Sequence, residues 1–154
     1  MIFAPESALA LLWATAKDLL PVRIDIERNR HVDVIADVTH LPFAAGVADL
    51  VWCHHVLEQV KDDRQAIIEL VRVVKKETGQ LIFSAGMSDS AETHEFATAD
   101  KQLSGNWRGY GKDLRDRLQG AGLEVAQLTY GLSDSESVKY GVFHEPFFVC
   151  RRTS

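Results

Sequence analysis

Two acids stand where short apolar runs give way to polar chain. Asp25 lies near the end of the alternating segment Val22-Arg23-Ile24-Asp25-Ile26, and Asp37 follows the run Val32 to Ala36. A carboxylate in such a place can accept both hydroxyl protons of a bound ribose. It can equally cap a turn, and for Asp37 the turn through Leu41-Pro42 is at hand. A second group follows Leu50 to Cys53: His54 and His55, with Glu58 three residues beyond His55. On a helix His55 and Glu58 share a face, which would suit an acid-base pair or two ligands of a metal. No third ligand accompanies them, so a metal site is not expected. An imidazole that titrates near neutral pH suits a base that deprotonates an acceptor. His55 is therefore the candidate catalytic residue, and a structural role is its alternative.

The elements that must position these groups can be read in order. Ile2-Phe3 is the stub of a first strand, and Ala4-Pro5-Glu6-Ser7 turns into a helix with Ala8, Leu11, Leu12 and Ala16 at spacings of three and four. Strands are expected over Val22 to Ile26, Val32 to Ala36, Leu50 to Cys53 and Gln80 to Ser84. The runs at Val32 to Ala36 and Leu50 to Cys53 are of the kind a parallel sheet buries on both faces. Asp62 is a suitable N-cap for a helix over about Asp63 to Lys76, with Gly79 just past its basic end. From Ala85 to Gly109 the pattern is polar and without period, which predicts a long functional loop. His94-Glu95 and the group Trp107, Arg108 and Tyr110 are its candidates for a lid over an acceptor. Their plainer readings are packing anchors for the two rings and a surface cation for Arg108. A helix over Lys112 to Ala121 follows, then strands over Leu123 to Tyr130 and Pro146 to Cys150. This order predicts one α/β domain over residues 1–154, a doubly wound, mostly parallel sheet closed by an antiparallel edge.

Composition narrows the classes. The 154 residues are 46% hydrophobic and 25% charged, enough for one core. A formal charge of -5 with scattered Lys and Arg argues against a nucleic-acid surface, which needs clustered cations. Cys53 and Cys150 are far apart, and Cys53 falls in an expected strand, so the reading is of reduced thiols in a cytoplasmic protein. Ala14-Thr15-Ala16 has the form of a signal-peptidase site, but Glu6 and no cation precedes the apolar stretch, which reads as an ordinary helix. No run reaches the roughly 18 apolar residues of a membrane span. Nothing in the chain separates a monomer from a homodimer.

The stretch Asp33-Val34-Ile35-Ala36-Asp37-Val38-Thr39-His40-Leu41-Pro42-Phe43, with Asp49-Leu50-Val51-Trp52-Cys53-His54-His55-Val56-Leu57-Glu58-Gln59-Val60 after it, resembles the core of class I S-adenosylmethionine-dependent methyltransferases. The family's closing His is Gln59 here. The likeness extends to Glu92-Thr93-His94-Glu95 and Arg108-Gly109-Tyr110-Gly111-Lys112-Asp113. It implies a Rossmann-like fold that holds S-adenosyl-L-methionine, with Asp25 on the ribose hydroxyls and Asp37 on the adenine amino group. It further implies that Val38 and Leu41 flank the purine with a backbone amide and an apolar wall. Cys53 and His54 would touch the methionine end through backbone. The family's Gly-rich turn is replaced by Ala4-Pro5-Glu6, a departure shared by a subset of similar proteins. Ala4 then stands at the methionine end, and Glu6 either receives the cofactor's ammonium group or caps the first helix.

The resemblance implies methyl transfer to a small-molecule acceptor. Three other readings stay open: a degenerate module that binds without turnover, a nicotinamide oxidoreductase, and a metal hydrolase on His54, His55 and Glu58. The oxidoreductase would lack its Gly-x-Gly-x-x-Gly fingerprint.

Overall fold

The computed structural model describes residues 1–5, 18–129, 133–140 and 145–153. The expected first helix, with Glu6, lies outside these residues, as does Tyr130.

The described strands are β1 (Ile2–Phe3), β2 (Arg23–Asp25), β3 (Val34–Ile35), β4 (Leu50–His54), β5 (Gln80–Ser84), β6 (His94–Asp100), β7 (Asn106–Gly109), β8 (Leu123–Leu128) and β9 (Phe147–Arg152). Seven of them make one sheet in the order β3-β2-β1-β4-β5-β9-β8. β1 to β5 pair in parallel, and β9 runs antiparallel between β5 and β8. The antiparallel edge expected from the sequence is thus present. The described helices are α1 (Asp63–Val73), α2 (Leu114–Gly120) and α3 (Asp134–Tyr140), with 3-10 turns at Leu57–Gln59 and Lys101–Leu103.

Register explains the core. Phe3 lies opposite both Ile24 and Cys53, Cys53 opposite Phe83, and Phe83 opposite Phe148, so these side chains share one face. All are buried, in one cluster with Ile67, Leu70 and Val71 of α1 and Leu114 and Leu118 of α2. The strands do not bury both faces equally, contrary to expectation. In β4 the burial alternates, with Val51 and Cys53 enclosed and Leu50, Trp52 and His54 partly open. The link from β2 to β3, residues 26–33, is shorter than the dozen residues a crossover helix needs. A two-point contact from Arg23 to Asp33 (2.9 and 2.6 Å) fastens that link instead. Ile26 and Ile35 are left exposed beside it.

α1 begins as expected, with Asp62 Oδ1 accepting from the Gln65 amide at 3.0 Å. It stops at Val73, short of Lys76, because Val74 turns extended and bridges to Ala48. The carbonyls of Arg72 and Val73 are taken by the amides of Gly46, Val47 and Ala48, so the helix end is satisfied by the loop before β4. Arg72 and Glu69 of α1 also bind the Leu41-Pro42-Phe43 turn: Arg72 donates to the carbonyls of Phe43 and Leu41, and Glu69 Oε2 accepts from the Leu41 amide.

The stretch read as an irregular loop contains a hairpin of β6 against β7, with a bulge between Glu95 and Asp100. Its root is locked. Arg108 is 2% exposed and donates to the carbonyls of Leu57, Val60 and Lys61, and from Nε to Glu95. Tyr110, fully enclosed, donates to Asp63 Oδ2, which Arg117 also reaches. Arg108 is therefore not a surface cation, and Tyr110 is a packing anchor. Gly111 lets the chain pass, since a Cβ there would sit 2.4 Å from the Glu92 carbonyl carbon.

Candidate functional site

Parallel strands of this sheet bring the ends of β1, β2, β3 and β4 to one edge, where ligands of open α/β sheets collect. A cavity of about 200 Å³ opens there, lined by Phe3, Ala4, Ile24, Asp25, Ile26, Ala36, Asp37, Val38, His55, Val56, Gln59 and Val60. Five of the residues singled out in the sequence meet in it: Ala4, Asp25, Asp37, Val38 and His55. Its volume falls below the roughly 300 Å³ at which pockets for whole ligands begin. It has room for a nucleoside-sized part of a larger molecule.

Both acids keep capacity in reserve. Asp25 Oδ1 accepts from the Glu27 amide at 3.1 Å, and no bond among the described residues occupies Oδ2. Asp37 Oδ1 accepts from the amide and the hydroxyl of Thr39, each at 2.8 Å, again leaving Oδ2. The turn-capping reading of Asp37 is thus present beside its place in the cavity, with the turn at Thr39. Val38 is buried and supplies an apolar wall.

Ala4 supports a second kind of fit. Its φ is 45°, in the left-handed region that an L-residue enters only at a cost. The amide of Ala4 donates to the Ile24 carbonyl at 2.9 Å, which holds the turn in place. A glycine-like backbone conformation is therefore kept where the glycine is absent.

Three of the named residues keep their side chains out of the cavity, which leaves the backbone contacts implied for Cys53 and His54 untouched. Leu41 is buried, its amide taken by Glu69, and it does not line the cavity. Cys53 points into the core beneath α1, where burial pushes its thiol far up. His54 leaves the cavity as well: its Nδ1 meets the Ser84 hydroxyl and its ring stacks on Phe147 at 5.9 Å.

His55 closes the rim. Its φ of 51° makes the sharp turn after β4, and its amide donates to the Ser84 carbonyl. Nδ1 lies 3.0 Å from Glu58 Oε1 and Nε2 lies 2.9 Å from Glu145 Oε2. The hydrogen bond to Glu58 and the two acidic charges raise the His55 pKa above its ordinary 6.5, against a smaller opposing effect of burial. A carboxylate at each nitrogen favours the protonated ring, which can act as a base only after it gives up the proton on Nε2. The two contacts differ in strength. The Glu58 side chain is 4% exposed and also accepts from the Gly86 amide at 2.7 Å, whereas Glu145 is 29% exposed. Pairs as open as His55 and Glu145 contribute about 0.2 to 1 kcal/mol. Sequence reasoning missed Glu145, which no local signal connects to His55.

Among the described residues no three His, Cys, Asp or Glu side chains are placed to hold a metal ion, and no helix is long and apolar enough to cross a membrane. The strand order and the cavity at the ends of β1 to β4 define a Rossmann-like α/β domain. A family model described as a methyltransferase domain matches residues 8–83. Over these residues the chain is similar to the class I S-adenosylmethionine-dependent methyltransferases. It is similar to a malonyl-[acyl-carrier protein] O-methyltransferase of Methylovorus sp. (strain MP688), 34% identical over 99 residues. That match takes in 63% of this chain and 32% of the relative, so the chain spans about a third of that protein's length. Two solved structures share the fold. The cyclase SpnF superposes with a TM-score of 0.69 at 15% identity, over 99% of this chain and 74% of that one. A Burkholderia thailandensis 1,6-didemethyltoxoflavin-N1-methyltransferase with bound S-adenosylhomocysteine does so at 0.64 and 12% identity, over 86% and 61%.

Proposed function

We propose that this chain binds S-adenosylmethionine in the cavity at the ends of β1 to β4 and transfers its methyl group to a small-molecule or carrier-linked acceptor. One observation supports this above the rest: Asp25 and Asp37, at the ends of adjacent strands, line a single cavity and each has one carboxylate oxygen to spare. Asp25 would hold the ribose hydroxyls, Asp37 the adenine amino group, and Val38 the purine face. The left-handed turn at Ala4 would let backbone approach the amino-acid end. Bound there, the cofactor supplies a sulfonium methyl, which an acceptor lone pair takes as the carbon–sulfur bond breaks and its electron pair returns to sulfur.

The protein's own part is positioning and exclusion of water, which suit a reaction that demands alignment more than acid-base help. His55 stands at the rim, where it can meet an acceptor. The related protein's name gives an O-methyltransferase acting on a malonyl-[acyl-carrier protein], and a free carboxylate is an acceptor oxygen that a malonyl group offers. The setting we propose is cytoplasmic, with the chain acting alone or as a homodimer.

Calorimetric titration with S-adenosylhomocysteine tests the reading without knowledge of the acceptor. Saturable one-site binding that weakens in Asp25→Ala is expected. No binding by the intact protein would remove the proposal.

A further inference from the structure

His55 is held between a fixed acid and a displaceable one. Glu58 is enclosed and bound to the Gly86 amide, and its Oε2 has no hydrogen-bond partner at all among the described residues. Among these residues its one ion-pair partner is His55. A buried carboxylate requires a cation beside it, so Glu58 keeps the imidazole charged and fixes its orientation through Nδ1. The opposite N–H, on Nε2, is then a donor with a positive charge behind it at the rim of the cavity. What it holds is a carboxylate, that of Glu145, just ahead of β9 and partly open to solvent.

We propose that Nε2–H of His55 is a carboxylate receptor, that Glu145 fills it in the resting protein, and that a carboxylate of the bound ligand takes the place of Glu145. The inference rests on the cavity's reading as a methyl-donor site and adds to it the chemistry of the ligand. A charge-assisted bond to imidazolium is available to any carboxylate of the right reach. Two molecules of the reaction could bring one: a carboxylic-acid acceptor, or the amino-acid end of the cofactor. Glu145 is a weak occupant, since both it and the ring remain hydrated, and an exchange of one carboxylate for another leaves the charge at His55 balanced. Glu58 is then a positioning residue, acting through the ring.

The test uses the full chain, Glu145→Gln and His55→Gln, with three probes followed by calorimetry: S-adenosylhomocysteine, 5′-methylthioadenosine, which lacks the amino-acid end, and malonate added to protein saturated with S-adenosylhomocysteine. For an acceptor carboxylate, Glu145→Gln is expected to bind malonate about two- to fivefold more tightly than the parent, since its internal competitor has lost its charge. His55→Gln is expected to bind malonate roughly tenfold more weakly, with both nucleoside probes unchanged. If the same opposite shifts fall on S-adenosylhomocysteine and spare 5′-methylthioadenosine, the receptor serves the cofactor's carboxylate. Affinities for all three probes that match the parent's in both variants would overturn the proposal and leave the His55 to Glu145 pair as a fastening of β9. Failure of the parent to bind S-adenosylhomocysteine would strike the methyl-donor reading, while malonate added directly would still report on the receptor.

Discussion

The root of the β6–β7 hairpin and the rim of the cavity are both built from charged side chains, and they use them in opposite ways. At the root, each nitrogen of Arg108 meets an oxygen: three main-chain carbonyls and Glu95. Asp63 is bound by Tyr110 and Arg117 together. At the rim, Asp25 and Asp37 each spend one oxygen on a local turn and, among the described residues, keep the other. Charge and polarity alone do not separate a structural group from a binding one. What sets Arg108 apart is that its donor set is complete before any ligand arrives, because a buried polar group without partners is costly and an exposed one is not.

Arg108→Ala should break this contrast most strongly. It strips the carbonyls of Leu57, Val60 and Lys61 of their donor and leaves Asp63 and Glu95 facing one cation fewer, in a region where Arg108 and Asp63 are almost wholly enclosed. Removal of one partner from a buried ionic network costs about 3 to 5 kcal/mol. Urea unfolding should show a loss of that size, and Arg108→Lys should recover less than half of it, because a single ammonium cannot reach three carbonyls and a carboxylate. A loss below about 1 kcal/mol would place the hairpin root among the surface features.

Asp25→Ala is the matching change at the rim and should show the reverse profile. S-adenosylhomocysteine affinity should fall by about 1 to 3 kcal/mol as charge-assisted hydrogen bonds disappear. Unfolding free energy should stay within about 0.5 kcal/mol of the parent, since in the free protein the carboxylate does no more than accept the Glu27 amide in a partly exposed turn. Equal effects on affinity and stability would reassign Asp25 to the fold.

His55 gives a smaller effect with a definite pH sign. Its folded pKa is raised above 6.5, with Glu58 and Glu145 the charged groups beside it and the His54 ring 4.2 Å away. Its contribution to stability is full below about 6.5, the unfolded value, and is lost as pH rises through the folded one. The side chain is 39% exposed, so screening keeps the amount to about 1 kcal/mol or less. The gap in urea midpoint between the parent and His55→Gln should therefore narrow as pH rises from 6 to about 8. A gap that does not move with pH would show a pKa unshifted by folding, and one that widens would show a ring held neutral.

The sequence made some of this visible, for physical reasons. β4 and β5 are apolar runs in a buried sheet, α1 announces its cap at Asp62, and the acids at strand ends are local features. The hairpin was not visible because β6 is open on both faces: Phe96, Ala99 and Asp100 are partly covered and the rest exposed, so no alternation marks it. The roles of Arg108 and Tyr110 depend on partners some 47 residues or more away, which no window along the chain contains. The side chain of Cys53 is placed by parity. It lies two residues from Val51, on the face that α1 covers, and that spacing alone directs it to the core. The amide partner of Leu41, Glu69, was not visible because it comes from a helix whose inner face could be read only for its apolar residues.

Ala4 sharpens the contrast at the smallest scale, because strain without a packing reason belongs with the rim. The residue is exposed, yet its φ of 45° is one that glycine adopts freely and alanine does not. Ala4→Gly should relieve about 1 to 2 kcal/mol of backbone strain. Against that, the extra freedom of glycine in the unfolded chain costs about 0.4 to 1 kcal/mol. The balance predicts a net gain of roughly 0.5 kcal/mol or slightly more in urea unfolding. S-adenosylhomocysteine affinity should hold or improve, because the substitution removes a methyl group from the cavity wall without moving the Ile24 contact. Ala4→Val probes the same point from the other side, since a β-branched residue fits the left-handed region worst and should destabilise by more than Ala4→Gly stabilises. If both variants unfold like the parent, the turn after β1 relaxes out of the left-handed region in solution, and the backbone approach proposed for the donor's amino-acid end loses its structural basis.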